Sequence, residues 1–351
     1  MSVRRPAPLP IDIALQGGGA HGAFTWGVLD RLLADERLCI DGISGTSAGA
    51  MNAVVLADGY SRGGGPQGAR QALRAFWRAV SSISQFSPLQ RTPLDRLFGN
   101  WSLDGTPGYQ MLQIAGALVS PYQFNPFNLN PLRDLLGKLV DFERVRACTE
   151  LQVFVSATNV RTGKARIFRH HELDADHVMA SACLPQLFQA VEIDGEAYWD
   201  GGYMGNPALF PLVDETNADD LVIVQINPIV RDELPRSAAE IMNRLNEITF
   251  NASLVREISS ILLLKKLIDE EHVSRVRYTD MRMHRISAEA ELLKLSVSSK
   301  LNVEWGFLEH LYGIGYRTTD DWLAANIDRL GKESTLDLSA LYFSEMADRR
   351  D

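Results

Sequence analysis

The chain has 351 residues, 46% of them hydrophobic and 23% charged, a composition that buries its own core without staples and suits one large domain or two ordinary ones. Its net charge of −9 argues against a general affinity for nucleic acid or anionic membrane, because neither surface attracts an acidic protein. Three scattered cysteines, Cys39, Cys148 and Cys183, show no metal-ligand spacing and read as buried free thiols of a reducing compartment.

Residues 1–10 (MSVRRPAPLP) form a tail without an apolar run, so a secretory signal is not expected there. No stretch reaches the ~18 consecutive apolar residues that cross a bilayer. A cytoplasmic protein is expected, with membrane contact no more than peripheral and homo-oligomers left open.

Residues 11–16 (IDIALQ) are an apolar run ended by glycines and predict a buried strand. Residues 22–34 place Trp26, Leu29 and Leu33 at helical spacing. A second strand is expected at 38–44 and an apolar helix at 47–57. Strand, turn, helix, repeated, implies a mainly parallel sheet with helices on both faces, a three-layer α/β/α class. The stretch 61–68 (SRGGGPQG) predicts a surface loop, and 69–80 a helix. Residues 82–107 and 120–131 read as loops rich in Pro, Asn, Gly and Ser. They carry Phe86, Trp101, Tyr122, Phe124 and Phe127, which either wall a pocket or pack on the core. Further strands are expected at 151–157 and 221–227, and a short helix at 176–184 before Pro185. From about 237 the pattern is mainly helical. The apolar run 258–268 reads as a buried or partner-facing helix, being too short to span a membrane. The chain thus divides into a tail (1–10), an α/β domain (11–230) and a mainly helical C-terminal region (231–351) that is open to a role as lid, membrane contact or oligomer surface.

Two glycine turns carry the chemistry. Gly17-Gly18-Gly19-Ala20-His21-Gly22 follows a predicted strand and opens a helix, so its amides can hold an anion. One reading is a dinucleotide site, which also wants an acidic residue ending the second strand. Asp41 lies inside that strand instead. The other reading is an oxyanion hole. The glycines alone do not separate the two.

Gly45-Thr46-Ser47-Ala48-Gly49 is a G-x-S-x-G between a strand and a helix, the setting of a nucleophile elbow. Chance places this pattern in about one chain in ten of this length, so a plain helix cap at Thr46 or Ser47 competes with the elbow. A serine also needs a base. His272, His284 and His310 lie in polar stretches without turn signals and read as solvated surface residues, as do His170 and His171. Asp200, in Trp199-Asp200-Gly201-Gly202, is either a carboxylate presented by a glycine turn or an ordinary Asp-Gly turn.

Four blocks in this order, GGGAHG (17–22), GTSAG (45–49), ASACLP (180–185) and DGG (200–202), make the chain resemble the patatin-like phospholipases over roughly residues 11–229. The resemblance implies a Ser–Asp dyad, with Ser47 the nucleophile and Asp200 its general base. It implies an oxyanion hole from the backbone of Gly17, Gly18 and Gly19, supporting turns at Gly45, Gly49, Gly201 and Gly202, and no metal or other cofactor. Ser181 and Pro185 would shape the surroundings. The implied substrate is a lipid or other acyl ester, and a non-catalytic lipid-binding protein of the same fold is the alternative. In one place the chain departs from the family: the first block usually carries Arg or Lys where His21 stands here. The dyad also makes a demand, since a free aspartate at pKa ~3.9 is a poor partner for a hydroxyl. A dry, mainly apolar pocket that raises the pKa of Asp200 is expected.

Overall fold

The computed structural model describes residues 7–83, 87–270 and 281–336. Strand β1 (Leu9–Leu15) leads through the glycine loop to helix α1 (Gly22–Leu33), and β2 (Leu38–Gly45) leads through Ser47 to α2 (Ala48–Gly59). Both helices are buried nearly all round, as their apolar sequences require.

The expected loop at 61–68 is helical instead. A π turn over Tyr60–Gly64 runs into helix α3 (Gly65–Ile83), with Gly63 at φ 98° making the kink. The reason is packing: α3 buries Ala69, Leu73, Phe76, Trp77 and Val80. A Cβ on Gly68 would lie 2.4 Å from the Gly59 carbonyl oxygen, so only glycine lets the two helices meet there.

Short helices also replace much of the two aromatic loops. They are α4 (Pro93–Leu97), α5 (Pro107–Leu118) and α6 (Pro121–Phe124), followed by α7 (Pro131–Leu139). Each opens with proline behind Thr92, Thr106, Ser120 or Asn130, so the residues that read as loop formers are helix-start signals. Then come α8 (Phe142–Arg146), β3 (Gln152–Asn159), β4 (Ala165–Arg169), α9 (Ala175–Ser181), β5 (Val191–Ile193) and β6 (Glu196–Asp200). The chain continues through α10 (Phe210–Glu215), β7 (Asp220–Val224), α11 (Ala238–Asp269), β8 (Arg282–Ile286), α12 (Glu289–Leu292) and α13 (Trp305–Asn326).

The sheet order is β5-β6-β3-β2-β1-β7-β8, with β4 also paired to β3. The run from β3 to β8 is parallel, and β4, β5 and β6 are antiparallel additions. Side chains alternate between two cores. Ile13, Leu15, Val153, Val155, Val222 and Val224 face α1, α2 and α13, whereas Ala14, Phe154, Leu221 and Ile223 face α10 and α11. Apolar residues on both faces of each strand make three layers, α/β/α.

The C-terminal region is mainly helical, and it also supplies β8, which extends the same sheet beside β7. Helix α13 lies on α1 at bare glycines: a Cβ on Gly27 would come 2.1 Å from Tyr312 O, and one on Gly315 2.1 Å from Phe24 O. In α11, Ile258, Ile261 and Ile268 are buried, as expected for that apolar run. Among the described residues no helix is long and apolar enough to cross a membrane.

Candidate active site

One strand brings the two functional blocks together. β2 pairs with β3 up to Gly45↔Val155, and β6 pairs with β3 from Ala157↔Asp200 onward. β4 occupies the opposite edge of β3 across Phe154–Thr158, so β2 and β6 share one edge and approach end to end. The gap of two residues along β3 spans roughly 7 Å. Into it project the turn after β2, carrying Ser47, and the end of β6, carrying Asp200.

Ser47 sits at φ 54°, ψ −118°, a strained conformation for a residue with a side chain and the mark of an elbow rather than a simple cap. The glycines around it are required by space. A Cβ on Gly45 would lie 2.6 Å from the Gly49 carbonyl oxygen, and one on Gly49 would lie 2.4 Å from Leu15 O. Ser47 N donates to Ser181 Oγ at 2.9 Å, and Thr46 Oγ1 donates to Gly205 O at 2.5 Å. The ASACLP block and the residues just after DGG therefore clamp the turn from both sides.

Asp200 is 1% exposed. Its backbone is held by hydrogen bonds from Thr158 Oγ1 and to Cys183 O, and its Oδ1 accepts the Gly202 amide at 2.7 Å. The Ser47 side chain lies near enough to act on its carboxyl. Burial pushes the carboxyl up to about 7, against the lowering influence of the Gly202 amide, the Ser47 hydroxyl and the Lys300 charge. The upward shift expected of a dry site is present. Gly201 packs beside Ser156 O and Thr46, and Gly202 lies under the Phe250 ring of α11; neither has room for a side chain.

The glycine loop adjoins the serine: a Cβ on Gly17 would touch Ser47 Cβ at 2.9 Å. The three glycines are not equivalent. Gly17 N donates inward to Asn206 Oδ1 at 2.7 Å, whereas the Gly18 and Gly19 amides have no protein acceptor among the described residues. Of the three amides expected as oxyanion donors, Gly17 N is thus already engaged, and those of Gly18 and Gly19 are left open. Asn227 Nδ2 donates to Gly17 O at 2.9 Å, fixing the same loop from the other side.

His21 is buried, with Nε2 2.7 Å from Ser299 Oγ; burial, aided by the neighbouring Lys300, lowers its pKa to about 3. It is therefore uncharged at neutral pH, not partly charged as a free histidine would be. Lys300 stands beside it and donates to Asn227 Oδ1 at 2.7 Å. Burial pushes this ammonium down to about 8. Sequence reasoning missed Asn206, Asn227 and Lys300, because none stands in a turn motif and Lys300 lies 100 residues beyond Asp200.

No described histidine hydrogen-bonds Ser47 or Asp200. His284 was expected on the surface; it is fully buried, bonded to Asp220 Oδ1 and Thr335 Oγ1, both at 2.9 Å. Sitting opposite Val222 within the sheet, it pairs with the first residue of β7, the end of the strand away from the elbow. His310 is exposed and stacks on Trp101, and His272 lies outside the described residues. A cavity of about 550 Å³ opens next to Cys183, walled by Tyr122, Phe127, Met179 and Phe188 but also by Asn128, Arg133 and Asp176. It differs from the mainly apolar pocket expected around the dyad: its lining includes neither Ser47 nor Asp200, and Pro-capped helices carry polar side chains into it. Phe124 and Phe127 are exposed, Trp101 packs on Phe307, and Phe86 lies outside the described residues. The thiols are free, with Cys148 and Cys183 buried and Cys39 partly so. Among the described residues no cluster of three or more His, Cys, Asp or Glu could hold a metal ion.

No curated protein matches the chain. Among solved structures it is similar to VipD from Legionella pneumophila, with TM-score 0.40 and 15% identity over 97% of this chain and 74% of that one. It is also similar to ExoU of Pseudomonas aeruginosa, solved in complex with SpcU, with TM-score 0.32 and 14% identity over 90% of this chain and 53% of that one. Likeness at this level bears on neither the site nor the activity. The family description "Patatin-like phospholipase" matches residues 13–213, more than half of the chain and every block that builds the elbow, the glycine loop and the Asp200 turn. The chain belongs to the patatin-like phospholipase family.

Proposed function

We propose that the protein is a serine acyl hydrolase of lipid esters, working through a Ser47–Asp200 dyad. The observation that carries this reading is the strained Ser47 turn set beside the buried Asp200 carboxyl, on which its hydroxyl acts, and next to two backbone amides without acceptors among the described residues. Ser47 Oγ attacks the acyl carbonyl as Asp200 takes its proton. The carbonyl oxygen, now an alkoxide, is met by the Gly18 and Gly19 amides. Collapse expels the alcohol, which recovers the proton from Asp200 and leaves an acyl ester on Ser47. Water activated by Asp200 then releases the acid.

The substrate class is a phospholipid, lysophospholipid or neutral acyl ester. Contact with a lipid surface is supported by exposed apolar side chains on α4–α6 (Leu94, Leu97, Met111, Ile114, Tyr122) and on the first half of α11 (Ile241, Leu245, Ile248). The dinucleotide reading of the glycine loop has less support, since the end of β2 carries Ser47 where a ribose-binding acid would stand. The test is turnover of phospholipid, lysophospholipid, glyceride and short p-nitrophenyl esters, with Ser47→Ala as control and product analysis to separate hydrolysis from acyl transfer. Cofactor binding without reaction toward a fluorophosphonate would reject the proposal.

A further inference from the structure

The oxyanion loop lacks a cation of its own, because His21 is buried and uncharged. A different part of the chain puts one against it. The 3-10 turn Val297–Leu301 packs on the glycine loop so closely that a Cβ on Gly19, at φ +56°, would lie 2.4 Å from Lys300 O. From that turn the Lys300 ammonium donates to Asn227 Oδ1 at 2.7 Å, and Asn227 Nδ2 donates to Gly17 O at 2.9 Å. Gly17 C=O and Gly18 N–H are the two ends of one planar trans peptide. Pulling electron density toward the carbonyl end makes the amide end a stronger donor, because hydrogen bonds in a chain polarise one another.

We propose that Lys300 is the remote cation of the oxyanion hole, polarising and orienting the Gly17–Gly18 peptide through Asn227. It is a positioning residue, acting through another group on the donor that faces the substrate, and the proposal rests on the dyad reading above. The charges around it agree. Lys300 faces Asp200 at the end of β6, His21 in the loop, Arg231 after β7 and Glu247 on α11. Glu247 is already held by Arg231 at 2.6 Å and by Arg244 at 3.2 Å. Among the described residues Lys300 makes no ion pair within 4.0 Å; Glu247 is the charge that acts on it most and Asp200 acts less, so part of its charge is left for the site. The same charge favours ionised Asp200.

The experiment is the pH profile of kcat and KM for Lys300→Met and Lys300→Arg on a short neutral p-nitrophenyl ester, with Ser47→Ala as control. A neutral substrate removes any direct attraction between Lys300 and a charged head group. For Lys300→Met the expected result is a fall in kcat of roughly tenfold or more with KM changed less than about twofold, as for a polarised oxyanion donor. Its acid limb should move up by roughly half a pH unit, since the base loses a nearby cation. Lys300→Arg should keep most of kcat, and any basic limb set by Lys300 should disappear, because arginine does not deprotonate. Wild-type kcat and an unmoved acid limb in Lys300→Met would overturn the proposal. So would equal losses in both variants at every pH, the pattern of a purely structural residue. If Lys300→Met does not fold, an unchanged basic limb in Lys300→Arg overturns it. Turnover by Ser47→Ala would reject the dyad itself; an inactive Ser47→Ala with an unaffected Lys300→Met rejects only the role given to Lys300.

Discussion

As the proposed base, Asp200 has two demands to meet: it must lie out of water, yet be ionised when Ser47 gives up its proton. Burial raises its pKa to about 7, and the Gly202 amide, the Ser47 hydroxyl and Lys300 keep it from rising further. The base works only when ionised, so kcat/KM should climb with pH through about 7, and any fall above about 8 belongs to Lys300 losing its charge. A profile already flat at pH 5 would show that Asp200 is not the base. Ser47→Ala and Asp200→Asn should each cut kcat by roughly three to four orders of magnitude, with melting curves at pH 4 close to wild type. The same shift makes a claim on stability. The folded pKa lies above the model value of 3.8, so what Asp200 contributes is fully present below about 3.8 and is lost as pH rises through about 7. Asp200→Asn escapes that loss. It should be more stable than wild type at pH 8, by up to a few kcal/mol on the scale of ~1.4 kcal/mol per pKa unit, and the gain should vanish near pH 4. Urea unfolding at the two pH values measures it.

The elbow is an element whose parts the residues name before the fold is known. Gly45, Ser47 and Gly49 were legible because each sits where backbones collide: the space at Gly49 is taken by Leu15 O, 2.4 Å from where a Cβ would stand. Gly49→Ala should therefore cost about 2–4 kcal/mol by forcing α2 off β1, visible as a lowered Tm, and with it a slower fluorophosphonate reaction at Ser47. The Asn206, Asn227 and Lys300 side chains were not legible. Their partners, Gly17 N, Gly17 O and the Asn227 amide, are 73 to 210 residues away in sequence, and a lone Asn or Lys gives no local signal. His284 misled for the related reason that polar neighbours in sequence do not report burial. Arg285 follows it and points to the other face of β8, while Arg282, two residues before on the same face, joins His284 on the Asp220 carboxylate. The bonds of His284 to Asp220 and Thr335 make it a structural residue. His284→Ala should cost about 2–4 kcal/mol by leaving the buried Asp220 carboxylate short of a partner, while kcat of the folded fraction stays near wild type. A loss of kcat by orders of magnitude without loss of stability would point to a triad.

At the scale of the whole molecule, apolar alternation and glycine-ended strands revealed the parallel sheet of residues 11–230, because β1, β2, β3 and β7 are each buried on both faces. The alternation did not reveal β4, β5 and β8: the first two are short antiparallel additions, and β8, Arg-Met-His-Arg-Ile, reads as charged. Nor did it show that the C-terminal region closes the site. That region supplies Lys300, the Phe250 ring over Gly202, and Asn251, whose side chain accepts from Gln16 behind the glycine loop. It also supplies α13, which buries Phe307, Leu308, Leu311, Ile314 and Leu323 against α1 and its neighbours. Full burial of five such side chains is worth roughly 1.5–3 kcal/mol each. Their sum is of the order of an entire domain's stability, ~5–15 kcal/mol. The segment matched by the family therefore should not stand alone. A chain ended after residue 236 should fail to give a cooperative melt and should not react with a fluorophosphonate at Ser47. A fragment that melts cooperatively and labels at the full-length rate would show instead that α11, β8 and α13 are an accessory to a self-sufficient site, and that Lys300 and Phe250 adjoin the dyad without serving it.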